Sequence, residues 1–167
     1  ALELYAKATK KSPSFAEAHY RSARIYRRQK KRTEEQKAYR QALLLNPGHV
    51  NARTELGGSF LDARNFEQAK TTLNKAVERA PSYAPARYYL AAALVGLGDS
   101  DGAMVQPSAA VDADPKMSQA WSLKGSLHRA KKEWPEAQTA YEQALSLDPD
   151  NSDLAFALED VKKAQTQ

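Results

Sequence analysis

Residues 141–149 read Tyr141-Glu142-Gln143-Ala144-Leu145-Ser146-Leu147-Asp148-Pro149, and the frame of this stretch returns along the chain at a fixed interval. Prolines stand at Pro13, Pro47, Pro81, Pro115 and Pro149, 34 residues apart throughout. Five residues before each comes Ala8, Ala42, Ala76, Ala110 or Ala144. Eight before, the slot holds Tyr5, Tyr39, Leu73, Pro107 and Tyr141; twelve before, it holds Ala1, Glu35, Ala69, Ala103 and Ala137. A period of 34 residues is one helix–turn–helix unit of a stacked repeat array. Small residues seven apart share one helix face and let neighbouring helices approach, while large residues fill the gaps between them. The proline follows a helix, where its ring cannot continue the hydrogen-bond ladder and a turn must form.

These columns resemble the tetratricopeptide repeat, over nearly the whole chain. In the first helix of each unit that family favours an aromatic, then leucine–glycine, then a second aromatic. Trp121 with Gly125, Leu56-Gly57 with Phe60, Leu90-Ala91 with Leu94, and Ala23 with Tyr26 match parts of this pattern. His19, Arg53 and Arg87 replace the first aromatic, and Lys124 and His128 occupy slots where apolar residues are expected. The resemblance implies an all-α fold, a right-handed α–α superhelix (solenoid) of 34-residue helix–turn–helix repeats. The expected organisation is a single array over 1–167: a half repeat at 1–15, full repeats at 16–49, 50–83, 84–117 and 118–151, and a capping helix over 152–167.

Helices are predicted near 1–12, 14–29, 33–45, 48–63, 66–79, 82–97, 100–113, 116–131, 134–147 and 151–164. Thr33 followed by Gln36, and Asn65 followed by Gln68, read as caps opening second helices. Pro135 suits a first helical turn, where a missing N–H costs nothing. In the last helix Leu154, Leu158 and Val161 share an apolar face, with Glu159, Asp160, Lys162 and Lys163 on the wet side, as a terminal cap requires. Pro107 breaks the pattern mid-helix, so its helix is expected to kink or to start late. Asp99-Ser100-Asp101-Gly102 shares the opening of a calcium loop but lacks the remaining ligands and the closing glutamate.

The chain has 167 residues, 42% of them hydrophobic, and no cysteine. A disulfide framework and Cys-ligated metal are therefore excluded. No run approaches the roughly 18 consecutive apolar residues of a membrane span, and no compartment is assigned. Ala1 falls inside a second helix, so a first helix is expected upstream. Leu2, Leu4, Tyr5 and Ala8 would give helix 1–12 an uncovered apolar face and a weak, concentration-dependent self-association through the N-terminal half repeat.

The resemblance implies a scaffold that binds a protein or peptide segment in a concave groove lined by first helices. By register, Tyr20, Arg24, Arg27 and Arg28 line it in the first complete repeat, and Asn51, Thr54, Gly58 and Leu61 in the second. Tyr88, Ala92 and Val95 follow, then Gln119, Ser122, Ser126 and Arg129. Gly58, Ala92 and Ser126 form one column whose small side chains leave room for an incoming backbone. Co-chaperones of this family grip a C-terminal carboxylate with lysines, asparagines and an arginine. The matching slots here hold Tyr20, Arg24, Glu55, Pro85 and Tyr89, or one repeat later Thr54, Gly58, Tyr89, Gln119 and Leu123, and neither set makes that clamp.

Charge is uneven: residues 1–40 carry 12 Lys/Arg against 4 Asp/Glu, whereas residues 41–167 carry 13 against 16. Such a block steers acidic partners. A basic N-terminal surface binding RNA or anionic lipid is the alternative, but stacking aromatics are sparse there and nucleic acid is disfavoured. His19, His49 and His128 lie in different repeats without ligand spacing, and no phosphate loop or nucleophile motif occurs, so neither enzyme nor cofactor is expected.

Overall fold

The computed structural model describes residues 15–166, and every described secondary-structure element is an α-helix. These are α1 (Ala16–Arg28), α2 (Arg32–Leu45), α3 (Val50–Asp62), α4 (Phe66–Arg79), α5 (Ala84–Gly96), α6 (Ser100–Ala113), α7 (Ser118–Ala130), α8 (Trp134–Leu147) and α9 (Ser152–Gln165). The helix expected over 1–12, and the self-association face placed on it, lie outside the described residues.

Both turns of the repeat follow from its columns. After α2, α4, α6 and α8 the backbone becomes extended at Asn46, Ala80, Asp114 and Asp148, each of which precedes a proline that disfavours helical geometry. The amide of each of these residues donates back to the carbonyl of Ala42, Ala76, Ala110 or Ala144. The other turn closes α1, α3, α5 and α7. Lys30, Arg64, Gly98 and Lys132 adopt φ of 57, 57, 78 and 61°. The next amides, of Lys31, Asn65, Asp99 and Glu133, donate to the carbonyls of Tyr26, Phe60, Leu94 and His128. This is the Schellman closure, in which one left-handed residue ends the helix and satisfies an orphan carbonyl.

Caps vary where the backbone does not. Asn65 accepts from the Gln68 amide at 3.4 Å, as its sequence position foretells. Asp99 accepts from Gly102 at 2.9 Å, so the aspartate-rich stretch opens a helix. The cap expected at Thr33 is corrected: α2 opens at Arg32 behind Lys31, which makes no side-chain cap, and Thr33 lies inside the first turn. The late start expected from Pro107 is also corrected, because α6 begins at Ser100 on the Asp99 cap and runs past Pro107. Pro107 itself is fully buried.

The contacts divide the chain into two compact units, Ala1–Pro81 and Ser82–Gln167. In the N-terminal unit α1 pairs with α2, α3 with α4, and α2 packs on α3. Tyr39, Leu73 and the alanine columns form its interior. Gly57 lets α3 and α4 meet, since a Cβ there would stand 2.4 Å from Leu73 Cγ. In the C-terminal unit α5 through α9 pack in chain order. There Tyr141, Ala144, Leu154, Leu158 and Val161 make one cluster, with Trp121 and Trp134 against it. Gly125 admits Tyr141 as Gly57 admits Leu73. The closing helix buries the three apolar residues expected of it.

Candidate functional site

In the N-terminal unit the column expected to line a groove is more occupied than its sequence suggests. Tyr20 is buried, its ring 6.1 Å from that of Tyr39 and 4.8 Å from His49. His49 caps α3 through Nδ1, which accepts from the Ala52 amide, while its Nε2 stands 3.3 Å from Glu17. Thr54 and Gly58 are buried as well, whereas Asn51 is exposed and Leu61 half-buried. Arg24 is exposed, with its guanidinium 5.9 Å from the centre of the Tyr20 ring, and Arg28 is exposed.

Arg27 has a different task. From α1 it reaches Glu55 Oε2 at 2.6 Å and Asp62 Oδ2 at 3.2 Å, both on α3, and lies 4.0 Å from Glu35 Oε1 on α2. One guanidinium thus ties three helices. Glu35 is the exception in the alanine column, and it is buried. Burial pushes its carboxyl above the ordinary value, while Arg27 and the Ser59 hydroxyl pull the other way. Glu35 Oε1, Tyr39 OH and Thr54 Oγ1 are buried without a hydrogen bond. Burial also raises the Tyr39 and Tyr20 hydroxyls.

The C-terminal unit leaves the same column open. On α5, Tyr88 and Ala92 are half-buried, and Val95 is exposed. On α7, Gln119 and Ser126 are exposed and Ser122 half-buried. Ser126 Oγ donates to the Ser122 carbonyl and lies 3.0 Å from Tyr141 OH. Arg129 pairs with Asp160 at 3.3 Å, both groups about half exposed. Phe156 on α9 falls in the column of Tyr20, Thr54, Tyr88 and Ser122, and it is 71% exposed. The register reading overlooked it, though counting one more period past Ser122 finds it.

Elsewhere, a cleft of ≈ 380 Å³ in the N-terminal unit is lined by Arg40, Leu56, Phe60 and Thr71, among others. Its equivalent in the C-terminal unit, ≈ 390 Å³, is lined by Ser108, Trp121, Lys124, His128, Glu136 and Thr139, among others. Lys124 lies 5.2 Å from the centre of the Trp121 ring, and His128 Nδ1 is 2.6 Å from Glu133. Among the described residues, no group of three His, Cys, Asp or Glu is placed to hold a metal ion. No described helix is long and apolar enough to cross a membrane.

This geometry has known counterparts. Family models of the tetratricopeptide repeat match residues 16–49, 60–127 and 118–151. The chain is 30% identical over 108 residues to the Hsp70-Hsp90 organizing protein of Triticum aestivum, which covers 65% of this chain and 19% of that protein. It spans about a fifth of the length of the relatives it matches. Among solved structures, YrrB, a repeat protein with an unusual peptide-binding site, superposes with a TM-score of 0.80 at 19% identity, covering 99% of this chain and 86% of that one. The first repeat domain of Spaghetti (RPAP3), bound to an HSP90 peptide, gives 0.68 at 21% identity, covering 71% and 94%. In columns, turns and fold alike, the chain belongs to the tetratricopeptide repeat family.

Proposed function

We propose that the chain is a protein–protein interaction scaffold that holds a peptide segment against the inward faces of its first helices. The repeats at 16–49, 50–83, 84–117 and 118–151, with the closing helix over 152–167, belong to this reading. The observation that carries it is the pair Ala92 and Ser126 in the C-terminal unit, half-buried on α5 and exposed on α7, whereas Gly58 of the same expected column is buried. These small side chains leave space on α5 and α7, and the exposed Gln119 amide on α7 can pair with a peptide backbone. The relatives, an Hsp70-Hsp90 organizing protein and a repeat domain bound to an HSP90 peptide, support the ligand class. Among the clamp slots, Glu55, Pro85 and Tyr89 offer a terminal carboxylate no cation, so the segment is held along its length.

The open face in the C-terminal unit takes the larger share of contacts, because Ala92, Ser122 and Ser126 are half-buried or exposed whereas Gly58 and Thr54 are buried. The test uses peptides selected from a displayed library against the whole chain. Ala92→Arg and Ser126→Arg should each weaken binding of the selected peptides about tenfold or more, with the helical signal intact. Unchanged affinity in both variants would contradict the reading.

A further inference from the structure

Four acidic side chains around α1 and α3 are engaged, whereas Glu34, Glu67 and Glu78 of this unit are exposed. Glu35 is buried beside Arg27, Glu55 and Asp62 hold Arg27, and Glu17 holds Arg21 at 2.6 Å and faces His49. The cations are not. Arg24, Arg28, Lys30, Lys31 and Lys37 are all exposed, and none has a carboxylate partner among the described residues. Arg32, beside them, donates to the Asp62 carbonyl. The end of the α1–α2 hairpin therefore presents a cluster of exposed cations, with Glu34, three residues past Lys31, the exposed carboxylate closest in sequence.

Lys31 adds a local argument. It occupies the N-cap of α2, where the equivalent residues are Asn65, Asp99 and Glu133. Asn65 and Asp99 accept amide hydrogen bonds there, which a lysine cannot do, and a cation at a helix N-terminus opposes the helix dipole. A residue that is wrong for the fold at a well-defined position is a mark of another use.

We propose that the strip formed by Arg24 and Arg28 on α1 and Lys30 and Lys31 in the α1–α2 turn docks an extended acidic segment of a partner protein. Arg24 and Arg28, four residues apart on one helix face, are about 6 Å apart along the axis, and alternate side chains of an extended chain repeat at about 6.6 Å. Carboxylates on every second residue fit that spacing. A single-stranded nucleic acid lacks its stacking platform, since Tyr20 and Tyr39 are buried and Tyr26 is half-buried. An anionic membrane lacks its apolar anchor, since Phe15 and Leu44, the large exposed apolar side chains among the described residues of this unit, lie at the opposite end of the α1–α2 hairpin.

This deepens the scaffold reading and rests on it only in that the partner is a protein. The experiment titrates the whole chain with a short labelled peptide alternating glutamate and serine. An oligouridylate of equal length, and phosphatidylcholine vesicles containing one quarter phosphatidylserine, serve as competing probes. The peptide should bind, weaken steeply with salt, and lose about tenfold in affinity when Lys30→Glu and Lys31→Asp are combined. Lys31→Asp installs the residue that caps α6, so the fold is retained. The pair Lys116→Glu and Lys132→Glu, exposed cations of the C-terminal unit, should leave the affinity unchanged. Equal loss in that pair, no peptide binding, or tighter binding of the oligouridylate or the vesicles would overturn the proposal. Library-selected groove peptides should still bind the Lys30/Lys31 variant, which separates a failure here from a failure of the groove.

Discussion

In the N-terminal unit the successive first helices α1 and α3 are cross-linked by Arg27, through Glu55 and Asp62. In the C-terminal unit the same slot holds Val95, exposed on α5, and Arg129 on α7, whose single pair with Asp160 is open to water. The backbone register is shared, and so are the turns. What differs is the cement: a partly buried ion-pair network with three buried orphan polar atoms on one side, and alanine, tryptophan and tyrosine packing on the other. A repeat thus fixes where helices lie while leaving the column of Tyr20, Thr54, Tyr88 and Ser122 free to be either buried or partly exposed.

The sharpest way to break this comparison is to remove the same slot from both units. Arg27→Ala leaves a buried Glu35 and two further carboxylates without their shared cation. The expected loss is about 2–3 kcal/mol, less than for a fully buried network because Arg27 is about a third exposed. Arg129→Ala should change stability by under about 1 kcal/mol, as for any exposed pair. Chemical denaturation of both variants checks the contrast, and equal losses would erase it.

Next in size is Gly57→Ala. Its Cβ would meet the branch point of Leu73, which has no free end to swing away, so a loss of about 1–3 kcal/mol is expected despite the better helix propensity of alanine. A gain in stability would show that α3 and α4 can separate at no cost.

Glu35→Ala should move the other way. Alanine is what Ala69, Ala103 and Ala137 place at this buried slot, and Arg27 would keep Glu55 and Asp62. A gain of about 1–2 kcal/mol is expected at neutral pH. Burial holds the Glu35 carboxyl above 4.5, so the folded chain binds that proton more tightly than the unfolded chain does. The penalty of the ionised group is therefore full above the folded value and fades as pH falls through it toward 4.5. The advantage of the alanine variant should shrink over that same window. A constant advantage from neutral to acid pH would assign the gain to packing instead.

The smallest expected effect concerns Pro107→Leu. Leucine restores an amide for the Ala103 carbonyl, but repeat register sets position 107 against Ala91 as Leu73 is set against Gly57, so overpacking takes back much of the gain. A net rise of about 1 kcal/mol is expected in thermal unfolding. Melting at or below the parent temperature would show that the surroundings have adapted to proline.

The helices were legible in the sequence because the proline and alanine columns act locally: each terminates a helix or lets two helices touch. Asn65 was legible as a cap for the same reason. Lys31 was not, because its Schellman turn places α2 one residue ahead of the better capping candidate, Thr33. The inward column was legible as positions but not as surfaces. Arg27 reads as a free cation until its partners 28 and 35 residues away are considered, one on each side of a full period. Tyr20 and Thr54 likewise look available until the neighbouring helices cover them. Periodicity describes each helix against its own repeat, whereas these contacts join one repeat to the next.

The claim that peptide binding uses the inward faces of the first helices is tested most directly by amide chemical-shift mapping with a library-selected peptide. The perturbed amides should gather on α5 and α7, around Ala92, Gln119 and Ser126, with smaller shifts at Arg24 and Asn51. Perturbations gathered on the second helices α2, α4, α6 and α8 would contradict the account.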